Sequence, residues 1–226
     1  MRIFIGFDPR ETVAYHVAAH SIIRRATIPV SITPLRRESL PMLTRPRGEH
    51  DSTEFAISRF LVPYLCKYDG VALFIDCDVV MLADVKELET LAMADAILQD
   101  TAVRVVKHSY TPRGYSKFLG QKQTTYSRKN WSSVMLFNCN QCSDLRPEYV
   151  NEAPGLDLHQ FAWLKDEQIG ALDPRWNVLV GEDNQPAWQD AKLLHHTKGT
   201  PCFPEYNHGP EAGLWQAEYD DMRRAG

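Results

Sequence analysis

Hydrophobic positions in this chain form short continuous runs separated by stretches with helical spacing. That alternation is expected of an α/β fold, a central, mostly parallel sheet flanked by helices. Residues 2–7 (RIFIGF) predict the first strand. Asp8-Pro9-Arg10-Glu11 reads as a helix start: Asp8 as N-cap, Pro9 at the first helical position, Glu11 completing a capping box. Val13, Ala14, Val17, Ala18 and Ile22 then recur at helical spacing. Residues 30–33 (VSIT) predict a second strand, and the polar stretch 36–50 an ordered loop. A second helix is expected from Asp51, with Glu54 in capping-box position. Its apolar stripe is Ile57, Phe60, Leu61, Tyr64 and Leu65, with a bend at Pro63. Arg59 falls opposite that stripe. An arginine there is either solvated or a partner for a carboxylate or phosphate at the sheet edge.

The stretch 71–84 (VALFIDCDVVMLAD) organises the rest. Residues 71–75 are all apolar and predict a buried, central, parallel strand. Asp76 and Asp78 flank Cys77 at its carboxyl end, where open α/β sheets bind ligands. Carboxylates this close repel, and a hard divalent cation such as Mg²⁺ or Mn²⁺ relieves the repulsion. Without a cation, the pair ends the strand and solvates a turn. A short helix is expected at 83–91, and strands at 96–98, 103–106 and 133–137, the last ending at Asn138. Cys139-x-x-Cys142 lacks a second pair and reads as structural thiols. A helix is expected at 157–165, a turn into a strand at 172–177, and a last strand at 192–196 ending in His195 and His196. The tail, about 203–226, carries Trp215 and Tyr219 and is expected to dock on a single domain spanning 1–226.

Composition is that of an ordinary globular domain, with 226 residues, 44% apolar and 24% charged. A net charge of −4 argues against nucleic-acid binding. No apolar run approaches the roughly 20 residues of a membrane span, and Asp8 comes too early for a signal peptide. Five cysteines without a secretion signal point to a reducing, cytoplasmic setting. Peripheral contact with a membrane stays open. Between Thr101 and Ser143 there is no acidic residue, while Arg104, Lys107, Arg113, Lys117, Lys122, Arg128 and Lys129 interleave with Tyr110, Tyr115, Phe118 and Tyr126. Such a segment is either a solvated loop or one that faces an anionic ligand and offers rings to sugar faces. No glycine-rich phosphate loop is present.

Four segments together resemble the retaining glycosyltransferases of family 8, the glycogenin and lipopolysaccharide galactosyltransferase type. They are IFIGFDPRETVAYHVAAHSI, STEFAISRFLVPYL…VALFIDCDVVMLADV, NWSSVMLFN with LDPRWN, and LLHHTKGTP. The resemblance covers nearly the whole chain. It implies a GT-A nucleotide-sugar fold and metal-dependent transfer of a hexose from a UDP-sugar to an acceptor, either a glycan, a lipid-linked molecule or a small molecule. Asp76, Asp78 and His195 would hold the metal, usually Mn²⁺. Phe7, Asp8 and Tyr15 would meet the uridine, and Arg59, Cys77 and Lys198 would join Asp76 and Asp78 in holding the donor. The family's Asn-(Ala/Ser)-Gly reads Trp131-Ser132-Ser133 here, and its D-Q-D falls on Asp157-Leu158-His159. Asp157, His159 or Gln160 would take the reacting face. Two alternatives stand beside this reading. One is a nucleotide-sugar-binding protein that does not transfer. The other is a haloacid-dehalogenase-type phosphatase with Asp76 as nucleophile and Asp78 as acid/base; it needs a later acidic pair, and the only later pair of adjacent aspartates is Asp220-Asp221, in the tail.

Overall fold

The computed structural model describes residues 1–48, 51–98, 101–109 and 127–225. The chain opens with β1 (Arg2–Gly6), α1 (Thr12–Arg25) and β2 (Ser31–Leu35). It continues through α2 (Val62–Leu65), β3 (Val71–Ile75), β4 (Val79–Met81), α3 (Lys86–Leu98) and β5 (Val103–Val105). After these come β6 (Val134–Asn138), α4 (Pro147–Glu152), α5 (Gly155–His159), β7 (Ile169–Ala171), β8 (Val178–Leu179), β9 (Leu193–His195) and α6 (Pro210–Ala225).

Six strands form one sheet in the order β2-β1-β3-β6-β5-β7. β1 pairs in parallel with β2 and β3, β6 lies antiparallel to both β3 and β5, and β5 is parallel to β7. One strand therefore runs against the other five, and the sheet is mixed. β3 and β6 are buried along their whole length, which is why both read as unbroken apolar runs. A second sheet, β4-β9-β8, stands beside the first. The chain leaves β3, crosses Asp76, Cys77 and Asp78, and enters the second sheet by pairing β4 antiparallel with β9. The D-x-D motif thus occupies the gap between two sheets.

Three sequence expectations need correction. The helix expected from Asp51 is a series of turns, a 3₁₀ segment (Ser58–Leu61) and the single turn of α2. Pro63 has no N–H to give the carbonyl four residues back, so a continuous helix cannot run through it. Residues 96–98 belong to α3 and not to a strand. Three apolar residues fit either state, and the spacing of Val85, Leu88 and Ala92, all buried, carries the helix forward. The helix expected at 157–165 ends at His159. Phe161 adopts a left-handed conformation, φ 59°. The N–H groups of Ala162 and Phe161 bond to the carbonyls of Asp157 and Leu158, which is a Schellman stop without glycine.

The tail does dock. Trp215 of α6 is buried with Val17 of α1 and Val80 of β4. Beside it Glu218, also buried, meets His20 at 2.6 Å and Arg25 at 2.8 Å. The five cysteines are free, and Cys139 and Cys142 are buried thiols. No helix among the described residues is long and apolar enough to cross a membrane. Tyr110, Arg113, Tyr115, Lys117, Phe118, Lys122 and Tyr126 lie outside the described residues.

Candidate functional site

Asp76, Asp78 and His195 converge at the junction of the two sheets. One ligand atom from each lies within 4.8 Å of the others. His195 Nε2 is 3.2 Å from Asp78 Oδ1 and 4.0 Å from Asp76 Oδ2. The antiparallel pairing of β4 with β9 sets this approach, because Val79 and His195 are direct partners. The ring is oriented from behind. His195 Nδ1 bonds Asn177 Oδ1 at 2.9 Å. Asn177 in turn donates Nδ2 to Ser133 Oγ at 2.9 Å and to the Asn130 carbonyl at 3.3 Å, so its oxygen is the end left for the imidazole. With Nδ1 held by the Asn177 amide oxygen, Nε2 is the ring nitrogen that faces the two carboxylates. Metal-binding histidines are commonly fixed this way. Two carboxylate oxygens and one imidazole nitrogen suit a divalent cation such as Mn²⁺. His196 is not part of that cluster; its backbone N–H holds the Asp78 carbonyl at 2.8 Å. Burial pushes its imidazole down to about 4.

Arg59 is 5% exposed and lies near the rings of Phe55 and Phe74. Its Nη1 is 2.8 Å from Asp76 Oδ1 and donates to the Ser132 carbonyl at 2.8 Å. Of the readings open to Arg59 in the sequence, it takes that of a carboxylate partner at the sheet edge. Together Arg59, Asp76, Asp78 and His195 line a cleft of about 440 Å³ that opens to solvent. Ser52, Thr53, Asn130 and Thr197 add polar groups to its wall, and Glu11 lies at its base. Glu11 does not close a capping box. Its carboxyl accepts from Thr200 Oγ1 at 3.3 Å and faces Cys77 Sγ at 4.0 Å. Burial first, then the charges of Asp78 and Asp8, push it up to about 8.

No family model matches the chain. Protein CDI of Arabidopsis thaliana is 44% identical over 232 residues, which cover 99% of this chain and 87% of that protein. The chain belongs to the Protein CDI family. Among solved structures, its fold is similar to the apo form of the bifunctional glycosyltransferase WbbM, with a TM-score of 0.59 and 16% identity over 96% of this chain. It spans about half of the WbbM chain, 51%. The galactosyltransferase LgtC, solved with donor and acceptor sugar analogues, gives a TM-score of 0.60 at 13% identity, covering 98% of this chain and 96% of that one. This member of the Protein CDI family therefore has the GT-A fold of glycosyltransferases.

The other residues singled out in the sequence lie outside the lining of that cleft. Asp8 is fully buried and held by Arg10 and by the Glu54 N–H. Burial opposes its ionisation, yet the Arg10 guanidinium and these N–H groups keep it below the usual carboxylate range. Phe7 and Tyr15 pack edge to face at 5.5 Å beyond the end of β1. The Cys77 side chain points into the core towards Glu11. Lys198 Nζ donates to the Gly181 carbonyl at 2.8 Å and lies 3.6 Å from Glu182. His159 bonds Ser132 Oγ at 2.7 Å, the Gln160 carbonyl accepts from Arg128, and Asp157 lies on α5.

Sequence reasoning missed Glu11, Asn177 and His108. Burial and the neighbouring charge of His195 hold the His108 imidazole down at about 3. Only Asn177 carried a usable signal, its place in the LDPRWN segment.

Proposed function

We propose that the protein is a metal-dependent glycosyltransferase that moves a hexose from a UDP-sugar to a hydroxyl acceptor with retention at C1. The observation that supports it most is the Asp76–Asp78–His195 corner, placed at the carboxyl end of β3 in a GT-A sheet. Its donor set fits Mn²⁺ better than Mg²⁺, because an imidazole joins two carboxylates. When bound, the ion supplies positive charge to the diphosphate as the sugar–phosphate bond breaks. The chain's own residues prepare that step. Asn177 keeps Nε2 of His195 open to the cation, and Arg59 orients Asp76 while adding fixed positive charge at the base of the cleft. Thr197 and Asn130 offer hydrogen bonds to the donor, and Phe7 with Tyr15 offers an aromatic edge for the uridine. The acceptor hydroxyl attacks from the face the UDP leaves, so no protein nucleophile is required. The whole chain acts as one domain, in the cytoplasm.

A protein that binds nucleotide-sugar without transferring it is the second reading. One observation favours it: Asp157, His159 and Gln160 lie outside the lining of the cleft. The phosphatase alternative is weakened, since Asp220 and Asp221 sit on α6, where Asp221 pairs with Arg24 at 3.1 Å.

Calorimetric titration of UDP with and without Mn²⁺, on the wild type and on Asp78→Asn, tests the site. Binding is expected to need Mn²⁺ and to be lost in the variant; no UDP binding under either condition removes the proposal. NMR of the product from a panel of UDP-sugars then decides the stereochemistry. Inversion at C1 rules out the retaining mechanism, and binding without turnover on any sugar leaves the second reading.

A further inference from the structure

Glu11 is 3% exposed, at the start of α1, and no part of the transfer chemistry above uses it. A carboxyl so buried has a high desolvation cost unless its hydrogen bonds do something for the fold or the site. Its neighbours belong to the two segments that build the metal corner. Oε2 faces Sγ of Cys77, the residue between Asp76 and Asp78, at 4.0 Å. Oε1 accepts from Oγ1 of Thr200 at 3.3 Å, five positions after His195. Thr200 is itself fully buried, next to a turn that requires glycine. Gly199 has φ 152°, and a Cβ there would come within 2.3 Å of the Tyr206 ring.

The loop carrying Asp76 and Asp78 has two backbone ties, the Asp76 N–H to the Ser133 carbonyl at 3.0 Å and the Asp78 carbonyl to the His196 N–H at 2.8 Å. Glu11 adds a side-chain tie that spans both sides at once. We propose that Glu11 is a positioning residue for the metal corner. Through Cys77 and Thr200, it sets the spacing between the Asp76–Asp78 loop and the His195 strand. It acts by its shape and acceptor atoms, at the base of the cleft, and not as a fourth ligand. The inference rests on the metal-site reading above. Residues that orient ligands from behind commonly change metal affinity by about 10–100-fold when removed.

Mn²⁺ affinity, measured by the EPR signal of free Mn²⁺ without donor or acceptor, tests it. The full chain is compared with Glu11→Ala, Glu11→Gln and Thr200→Val, and with Ile169→Ala, a buried position on the edge strand β7, three strands from β3, as a core variant that destabilises the fold away from the site. Glu11→Ala and Thr200→Val are expected to weaken Mn²⁺ binding by about tenfold or more while circular dichroism stays native. Glu11→Gln keeps the acceptor for Thr200 and is expected to stay within about threefold of the wild type, well short of that loss. Ile169→Ala should lower the melting temperature without changing affinity. Wild-type affinity in both Glu11→Ala and Thr200→Val overturns the inference. So does a loss in Glu11→Gln as large as in Glu11→Ala, which would make Glu11 a charge and not a tie. If Glu11→Ala does not fold, Thr200→Val decides. If the wild type binds no Mn²⁺, it is the metal-site reading that fails.

Discussion

Two glutamates are buried against α1, and they are treated in opposite ways. Glu218 lies against its later turns, 2% exposed, and is surrounded by basic side chains: His20 at 2.6 Å, Arg25 at 2.8 Å and Arg24 at 3.5 Å. Glu11, at its start, is as deeply buried, but it has a hydroxyl and a thiol for partners and the carboxylates of Asp8 and Asp78 nearby. One carboxyl is compensated and works as glue between α1 and α6. The other is held among like charges, beside the Asp76–Asp78–His195 cluster. Depth alone does not separate these two acids. The sign of the surrounding charge does.

The largest effect should come from breaking the compensated side. Glu218→Ala leaves Arg25 and His20 facing a buried gap. Removing one partner of a buried pair costs about 3 kcal/mol, and the partial exposure of Arg24 holds the figure near the low end of the known range. In a chain of this size that lowers the melting temperature by roughly 6–12 °C. Mn²⁺ affinity should not move. A variant as stable as the wild type, by thermal melting, would show that the α6 clamp is decorative.

Glu11→Gln probes the opposite case, and the expected sign is reversed. Burial and like charge raise the Glu11 carboxyl from 4.5 to about 8. The folded chain therefore holds this proton more tightly than the unfolded one. Its stability is full below pH 4.5 and falls as pH rises through 8. Glutamine removes that loss. With metal chelated, the melting temperature of Glu11→Gln should rise relative to the wild type as pH increases across that window. Parallel melting curves for the two proteins at every pH would show that Glu11 carries no such burden.

The contrast also explains what could be read in the sequence. The meeting of Asp76, Asp78 and His195 was legible because each part has a local signature: an unbroken apolar run ending in Asp76 and Asp78, and a late apolar run ending in His195. The β3 core and the β6 strand were legible for the same reason. Glu11 was not. Locally it fits a capping box with Asp8, and its true partner, Thr200, is 189 residues away. Asn177 was hidden inside a turn motif whose use depends on Ser133 and His195 arriving from other strands. Phe161 ended a helix without the glycine that normally announces such a stop. The direction of β6 was also invisible, because a buried run has the same pattern whichever way it points.

The smallest effect sets the lower end of the comparison. Arg175 and Asp173 form an ion pair at least as well made as any around Glu218: Nη2 to Oδ2 at 2.6 Å, and Nε to both oxygens at 3.0 Å. Hydrogen bonds from the Arg175 guanidinium, first, pull the Asp173 carboxyl down to about 2. Geometry and shift together suggest a strong bond. Exposure cancels most of it, since the two side chains are 44% and 40% exposed and water solvates both when they part. Arg175→Ala should therefore change stability far less than Glu218→Ala does. The depressed acid contributes stability above pH 3.8 and loses it as pH falls through 2, so any difference should vanish in strong acid. Urea melts of the variant at neutral pH check this. A loss near that of Glu218→Ala would mean that geometry decides the strength of these pairs and burial does not. The distinction drawn between Glu218 and Glu11 would then fail with it.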